Sequence, residues 1–327
     1  MSSGVKKNRT KHMMLFSGRA HPELAQEVAE LLEVELVPSR SVTYANSEIY
    51  VRFEESVRGS DAFVIQSHPA PVNEWTMEQL IMIDALKRAS ADRITVVSPF
   101  YPYARQDKKH AGREPISARL IADLYKTAGA DRLMSVDLHA AQIQGFFDGP
   151  VDHLWALPVL ADYVVQKYGH ENMTVVSPDA GRVRLADMWT DKLNCPLAII
   201  HKRRDPDVAN QVAVHEVVGE VEGRVCLLVD DMIDTASTIC QAAEALMARG
   251  AKAVIAATTH AVLSGPAPER LNNSSFEEVI VTNTLPIAES AAGVNKLTVL
   301  SIAPLIARAI KEVFEDGSVT SLFDGQS

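Results

Sequence analysis

Nine short runs rich in Val, Ile and Leu, set between segments with helical spacing, constrain this chain more than any other feature. They read FVIQ, RITVV, LMSVD, MTVV, PLAII, VCLLV, AVIAATT, EVIVT and LTVL. Each is too short for a helix and too continuously apolar to leave one face in water. That is how a strand buried on both faces reads. The intervening segments carry apolar residues three and four apart. ELAQEVAELLE puts Leu24, Val28, Leu31 and Leu32 on one face, with Pro22 suited to the first turn. SARLIADLYKTAG sets Leu120, Ile121, Leu124 and Tyr125 in a stripe, with Ser117 as the expected N-cap and Gly129 as the stop. Such alternation predicts an α/β fold of mainly parallel sheets flanked by helices.

A chain of 327 residues has room for about two domains. The pentapeptide TVVSP occurs at residues 95–99 and again at 174–178. Either strand-plus-turn chemistry has arrived twice at the same letters, or two domains of similar build each end a strand in Ser-Pro. Gly-Pro and Leu-Pro punctuate residues 149–160, which sets the expected division: 1–11 a loose tail, 12–155 one domain, 156–327 a second. A net charge of −10 argues against nucleic acid as a partner. No uninterrupted apolar run approaches ~18 residues, and the basic KKNRTKH start has no apolar segment behind it. Neither a membrane span nor a signal peptide is expected. Cys195, Cys226 and Cys240 lie in or beside apolar segments without metal-type spacing, as reduced thiols in a cytoplasmic protein would.

The stretch LLVDDMIDTASTI gathers three carboxylates, Asp230, Asp231 and Asp234, at the end of an apolar run. With residues 225–229 as a strand and CQAAEALMARG as a helix, the acids and hydroxyls occupy the strand-to-helix loop, where ligands of open α/β sheets bind. The helix start offers unpaired N–H groups and partial positive charge. Thr235, Ala236, Ser237 and Thr238 are small enough for backbone amides to close on a phosphate. Asp230 and Asp231 beside them can accept hydrogen bonds from sugar hydroxyls. Helix capping by Asp234 or Thr235 would account for part of the pattern, but not for two acids directly after the strand. Acids at one end and an anion cradle at the other describe a sugar phosphate.

VDDMIDTAST resembles the ribose-phosphate site of the phosphoribosyltransferase superfamily. PFYPYARQDKK, REPISARL, DLHAAQIQGFFD, VVSPDAGR, HKRR and LSGPAPERLNN, in that order, resemble the ribose-phosphate pyrophosphokinase family. The resemblance implies two similar phosphoribosyltransferase-like domains. It also implies a reaction in which ATP and ribose 5-phosphate, with Mg²⁺, give phosphoribosyl pyrophosphate and AMP. It implies further a cytoplasmic homo-oligomer, typically a hexamer, with ATP sites shared between subunits and control by inorganic phosphate and ADP.

Residue chemistry agrees with that reaction. Two polyanions must meet on an acidic protein, so cations have to be concentrated locally. Arg105, Lys108, Lys109 and Arg113 surround a single Asp107, a local charge of +3, and Lys202, Arg203 and Arg204 follow the apolar run PLAII. Solvated loops are the usual fate of such charge runs, but both clusters are expected at strand ends. No Walker-type phosphate loop is present, so ATP must be held otherwise. By resemblance, Arg105 and Gln106 contact ATP, and Asn46, Ser47 and Glu48 of YANSE form the adenine-reading segment. That segment is usually Phe-Ser-Asp/Asn-Gly-Glu, from which Tyr44, Ala45 and Ser47 depart. His139 and Asp179 become Mg²⁺-site residues, with His139 acting through water or orienting an ATP phosphate. Asp179, Ala180, Gly181 and Arg182 stand where the pyrophosphate loop is found. Many members have a second glycine at Arg182, so the arginine adds a phosphate contact or obstructs one. Lys202 and Arg204 match the catalytic loop, and Arg204 also reaches the sugar phosphate. Ser237 replaces a usual glycine: at positive φ it would be strained, and otherwise its hydroxyl joins the cradle. A phosphoribosyltransferase consuming the activated sugar would have no need of ARQDKK, DLHAAQ or the NSE segment, and a non-catalytic regulator on the same fold would be expected to have lost Lys202 or to carry insertions in these loops, neither of which is seen.

Overall fold

The computed structural model describes residues 11–203 and 214–323. The expected N-terminal tail, Lys11 apart, and Arg204 lie outside the described residues. The chain separates into two compact units, one ending at Leu154 and resuming at Ala303, the other running from Trp155 to Ile302.

In the first unit β1 (Met13–Ser17) leads through α1 (Pro22–Leu31) to an antiparallel hairpin, β2 (Ser39–Thr43) with β3 (Ile49–Phe53). Then come β4 (Asp61–Ile65), α2 (Val72–Arg88), β5 (Arg93–Ser98), α3 (Ser117–Ala128), β6 (Arg132–Val136) and β7 (Val151–Leu154). The main sheet has the order β1-β4-β5-β6-β7, parallel throughout. The second unit runs α4 (Leu157–Tyr168), β8 (Met173–Ser177), α5 (Val183–Leu193), β9 (Leu197–Arg203), β10 (Val214–Val218) and β11 (Val225–Ile233). It continues with α6 (Ser237–Ala248), β12 (Ala253–Ala261), α7 (Ala267–Asn273), β13 (Glu278–Thr282) and β14 (Leu297–Leu300). Its sheet has the order β10-β9-β8-β11-β12-β13-β14, and only β10 is antiparallel to its neighbour. The last helix, α8 (Ala303–Phe314), packs against α1 and buries Leu305, Ile306, Ile310 and Val313. Residues from Ala303 onward therefore belong with the first unit, not with the second domain to which the sequence pattern assigns them. An amphipathic helix follows whichever apolar surface it covers, and no spacing rule reveals which.

All nine apolar runs lie on parallel strands, and β4, β8 and β13 are buried at every residue. The helices bury a slightly different stripe from the one expected. α3 buries Ala118, Ile121, Ala122 and Tyr125, which its period places on one line, while Leu120 is 56% exposed. In α1, Leu24 and Val28 are buried but Leu31 is 51% exposed. Ser117 is not the N-cap of α3. It opens the helix, with Ile116 at the cap, and its hydroxyl donates instead to Gln106 Oε1 at 2.6 Å. The repeated TVVSP marks one local device used twice. Ser98 Oγ donates to the Phe100 carbonyl at 3.0 Å, and Ser177 Oγ donates to the Asp179 carbonyl at 2.7 Å. Each serine fixes the turn by which a buried strand delivers its loop to the rim of the sheet.

Candidate functional site

The second sheet reverses direction between β8 and β11: the chain proceeds from β8 outward through β9 to β10 on one side, and from β11 outward to β14 on the other. Loops leaving the C-terminal ends of strands at such a switch point diverge and leave a crevice. The loop after β8 carries Asp179, Ala180, Gly181 and Arg182. β11 and the loop after it carry the acids and hydroxyls of residues 230–238. β11 runs to Ile233, so Asp230 and Asp231 sit within the strand and not beyond it, because pairing with β12 continues through Asp230↔Thr258 and Ile233↔Ala261.

Asp179 caps a single 3₁₀ turn of residues 180–182, its Oδ1 accepting from Gly181 N–H at 2.8 Å. A Cβ on Gly181 would stand 3.1 Å from that oxygen, so the glycine permits the close approach. Arg182, at the end of the turn, answers what holds the acids together. Its Nε lies 2.9 Å from Asp230 Oδ1 and its Nη2 2.9 Å from Asp231 Oδ1. Asp230 Oδ1 also accepts from the Asp231 N–H at 2.8 Å. Burial, then the neighbouring Asp231 carboxylate, pushes Asp230 well above the usual carboxylate range, and Arg182 opposes that shift.

Beyond the acids, Asp234, Thr235 and Ala236 turn the chain into α6. Ala236 is the N-cap, in the left-handed region at φ 59°, and Ser237 opens the helix. An alanine at the N-cap has no side chain with which to satisfy the first amides of α6. Ser237 itself is not at positive φ. The feature that sequence reasoning missed is the brace beneath this turn. Arg270 of α7 donates from Nη1 to the Thr235 carbonyl at 2.8 Å, and Ser264 N–H donates to the Asp234 carbonyl at 2.9 Å. Both belong to LSGPAPERLNN, a segment that carried the resemblance but no assigned role.

In the first unit, Arg105 and Gln106 lie exposed in the loop after β5, and half-buried His139 lies after the adjacent β6. Gln106 is pinned twice to the start of α3, through Ser117 Oγ and by accepting the Ala118 N–H at 3.1 Å. Glu114 closes the basic loop by accepting the His110 and Ala111 amides at 2.7 and 3.0 Å. Those two hydrogen bonds, Ala111 first, lower its pKa. Gln142 donates to buried Asp107, tying the loop after β5 to the segment after β6.

Asn46, Ser47 and Glu48 occupy the exposed tip of the β2–β3 hairpin. The Glu48 N–H donates to Asn46 Oδ1 at 3.2 Å, and Ser47 stands at φ 70°, the region favoured by glycine. The hairpin is anchored by fully buried Glu78 of α2. It accepts from Ser41 Oγ at 2.6 Å and pairs with Arg19, whose Nη2 donates to Thr43 Oγ1 at 3.0 Å. Burial opposes ionisation of Glu78, but hydrogen bonds from Ser41, Arg19 and Gln66 outweigh it and lower the pKa.

Lys202 and Arg203 lie inside β9, paired with His215 and Val214 of β10, and not after the strand as the sequence pattern suggests. Apolar character ends at Ile200, but the antiparallel ladder does not. No group of three or more His, Cys, Asp or Glu suited to a metal occurs among the described residues. A half-buried carboxylate at a strand end, as at Asp179, fits an Mg²⁺ held by one or two side chains with the rest of its shell from water and substrate phosphate. Cys195, Cys226 and Cys240 are buried free thiols.

Residues 13–129 match the family model described as the N-terminal domain of ribose phosphate pyrophosphokinase, and residues 208–324 match the phosphoribosyl synthetase-associated domain. Ribose-phosphate pyrophosphokinase of Streptomyces coelicolor is 69% identical over 324 residues, 99% of this chain and 100% of the relative. That of Mycobacterium tuberculosis is 64% identical over 318 residues, 97% of each. Among solved structures, phosphoribosylpyrophosphate synthetase from Mycobacterium smegmatis superposes with a TM-score of 0.89 at 62% identity, covering 94% of this chain and all of that one.

Proposed function

The chain belongs to the ribose-phosphate pyrophosphokinase family, and on that premise we propose how its residues divide the work. It forms phosphoribosyl pyrophosphate from ribose 5-phosphate and ATP. The pyrophosphoryl group passes to the C1 hydroxyl, with attack at the β-phosphorus and release of AMP. Catalysis of that kind is mainly positioning and stabilisation of spreading negative charge.

The observation that carries the assignment of the sugar site is the turn at the switch point. Asp230 and Asp231 stand on a strand that runs directly into the uncapped start of α6, and Arg270 braces the turn between them. Asp230 and Asp231 accept hydrogen bonds from the ribose hydroxyls. Asp234, Thr235, Ala236, Ser237 and Thr238 close on the 5-phosphate through amides and hydroxyls. Asp179, Ala180, Gly181 and Arg182 take the transferred pyrophosphoryl group. Arg105 and Gln106 bind ATP phosphates and His139 orients them, while Asn46, Ser47 and Glu48 read the adenine of a neighbouring subunit's ATP. Lys202 and Arg204 stabilise the transition state, and Arg204 also contacts the sugar phosphate.

Members of the family work with a metal cofactor. We assign Mg²⁺, and taken unit by unit the residues proposed to contact it are Asp179 in the second, directly, and His139 in the first, through water. When bound it supplies positive charge to the ATP phosphates. The quaternary state proposed is a homo-oligomer, a hexamer by resemblance, in the cytoplasm, with inorganic phosphate and ADP as effectors. No helix among the described residues is long and apolar enough to cross a membrane.

The test is the initial rate of AMP formation with each substrate varied in turn. Asp231→Asn should raise KM for ribose 5-phosphate with little change for ATP, and Arg105→Ala should do the converse. Equal shifts in both constants for either variant would contradict the division.

A further inference from the structure

Arg182 presents one edge of its guanidinium to two carboxylates at once, Nε to Asp230 and Nη2 to Asp231, each at 2.9 Å. The contact is not a surface accident. The three side chains are only 21%, 20% and 7% exposed, so their charges are poorly screened. Two adjacent acids in that setting need a cation, and Arg182 supplies one.

The shape of the contact matters as much as its charge. One edge of a guanidinium offers two parallel N–H donors held at a fixed short spacing. A vicinal diol likewise offers two O–H donors on neighbouring atoms. The ribose hydroxyls and the Arg182 edge therefore address the same pair of carboxylates. Arg182 is also the last residue of the turn begun by Asp179. Its guanidinium is therefore carried by a long side chain that begins on the same turn.

We infer that Arg182 is a specificity-determining residue of the sugar site. It occupies Asp230 and Asp231 as a stand-in for the diol, ribose 5-phosphate displaces it, and the freed guanidinium moves to the pyrophosphoryl oxygens on the 179–182 turn. The inference rests on the sugar and pyrophosphate assignments proposed above. Two consequences follow from it. A sugar lacking one of the two hydroxyls displaces the arginine poorly. An anion on the turn and a diol on the acids each remove the obstacle to the other, so their binding is coupled, and linkage makes the coupling reciprocal.

Calorimetric titration of the full chain with ribose 5-phosphate, with and without inorganic pyrophosphate at fixed Mg²⁺, tests this. Pyrophosphate should tighten ribose 5-phosphate binding by about tenfold, inside the usual range for coupled sites. For 2-deoxyribose 5-phosphate it should leave affinity unchanged. In Arg182→Gln, ribose 5-phosphate should bind about tenfold tighter than to wild type without pyrophosphate, and pyrophosphate should no longer matter. Two results overturn the inference. One is Arg182→Gln weakening the sugar phosphate by the same factor in both conditions, as a static brace would. The other is wild-type coupling of equal size for ribose and deoxyribose, a comparison that does not depend on any variant folding. Failure of the underlying site assignment has a different signature and takes the inference with it. Ribose 5-phosphate would then bind equally to wild type and to Thr238→Tyr, whose ring fills the turn.

Discussion

Arg270 donates to the backbone carbonyl of Thr235 at 2.8 Å, so a side chain on α7 sets the path of the turn between β11 and α6. The bond involves a charged donor, and such bonds contribute about 1.5–3 kcal/mol. Arg270→Gln is expected to raise KM for ribose 5-phosphate by roughly tenfold or more, with KM for ATP unchanged. Steady-state kinetics in both substrates checks this. Parallel changes in the two constants would mean that Arg270 serves general stability only.

Two serines stand where the family usually has glycine, and the structure separates them. Ser47 is at φ 70°, and Ser237 opens α6 outside the positive-φ region. A left-handed non-glycine residue carries about 1–2 kcal/mol of strain, partly offset by the 0.5–1 kcal/mol that glycine gives up in the unfolded chain. Ser47→Gly should therefore raise Tm slightly, while Ser237→Gly should lower it through lost helix propensity. Differential scanning calorimetry of the two variants reads the signs. A fall for Ser47→Gly would contradict the strain at the hairpin tip.

Stability should fall on acidification in two successive windows that overlap slightly. Burial holds the His68 imidazole down, from 6.5 to about 4, against a hydrogen bond to the Phe100 carbonyl and one with Gln79. Between those values the unfolded chain binds a proton that the folded chain does not, so folding weakens as pH drops from 6.5 toward 4. Glu278 goes from 4.5 to about 2. Burial opposes this, but hydrogen bonds from Thr298, Tyr168, Lys167 and Tyr163 prevail. Its contribution is complete above 4.5 and is lost as pH falls toward 2. His68→Asn should flatten the upper window of a Tm-versus-pH curve, and Glu278→Gln the lower. A variant that leaves its own window unchanged removes that residue from the account.

Lys202 stands one residue before the end of β9, opposite His215 of β10. As the proposed main source of transition-state charge stabilisation, Lys202→Ala should reduce kcat by at least about a hundredfold. ATP affinity, measured by equilibrium binding, should stay near the wild-type value. Nearly full turnover would exclude the role.

How much of this was legible in the sequence depends on where the information is local. The nine apolar runs announce themselves because a parallel strand is buried on both faces, as at β4 and β8. β2 and β3 give no apolar run to find because neither strand of the hairpin has a fully buried residue. β10 went unseen too, and with it the placing of Lys202 inside a ladder. The apolar run predicts only five residues of β11 because hydrophobicity stops at Val229, whereas its pairing with β12 runs on to Ile233. The carboxylates and hydroxyls of residues 230–238 could be named from their spacing, and Asp179 and Gly181 from the resemblance. Their common partner could not. Arg182 meets Asp230 and Asp231 only because β8 and β11 are neighbours, a fact of sheet order and not of either segment. Arg270 is a longer-range case still: its residue type was in view, and its target is a backbone atom 35 residues away. The left-handed residue at the turn into α6 is Ala236, one place before Ser237, a shift that propensity cannot resolve.

The most direct measurement is a crystal structure of the chain with ribose 5-phosphate bound. The account predicts density for the sugar with its 2- and 3-hydroxyls on Asp230 and Asp231 and its phosphate within hydrogen-bonding distance of the Ser237 and Thr238 amides. Sugar phosphate density elsewhere, with that turn holding only water, would contradict it.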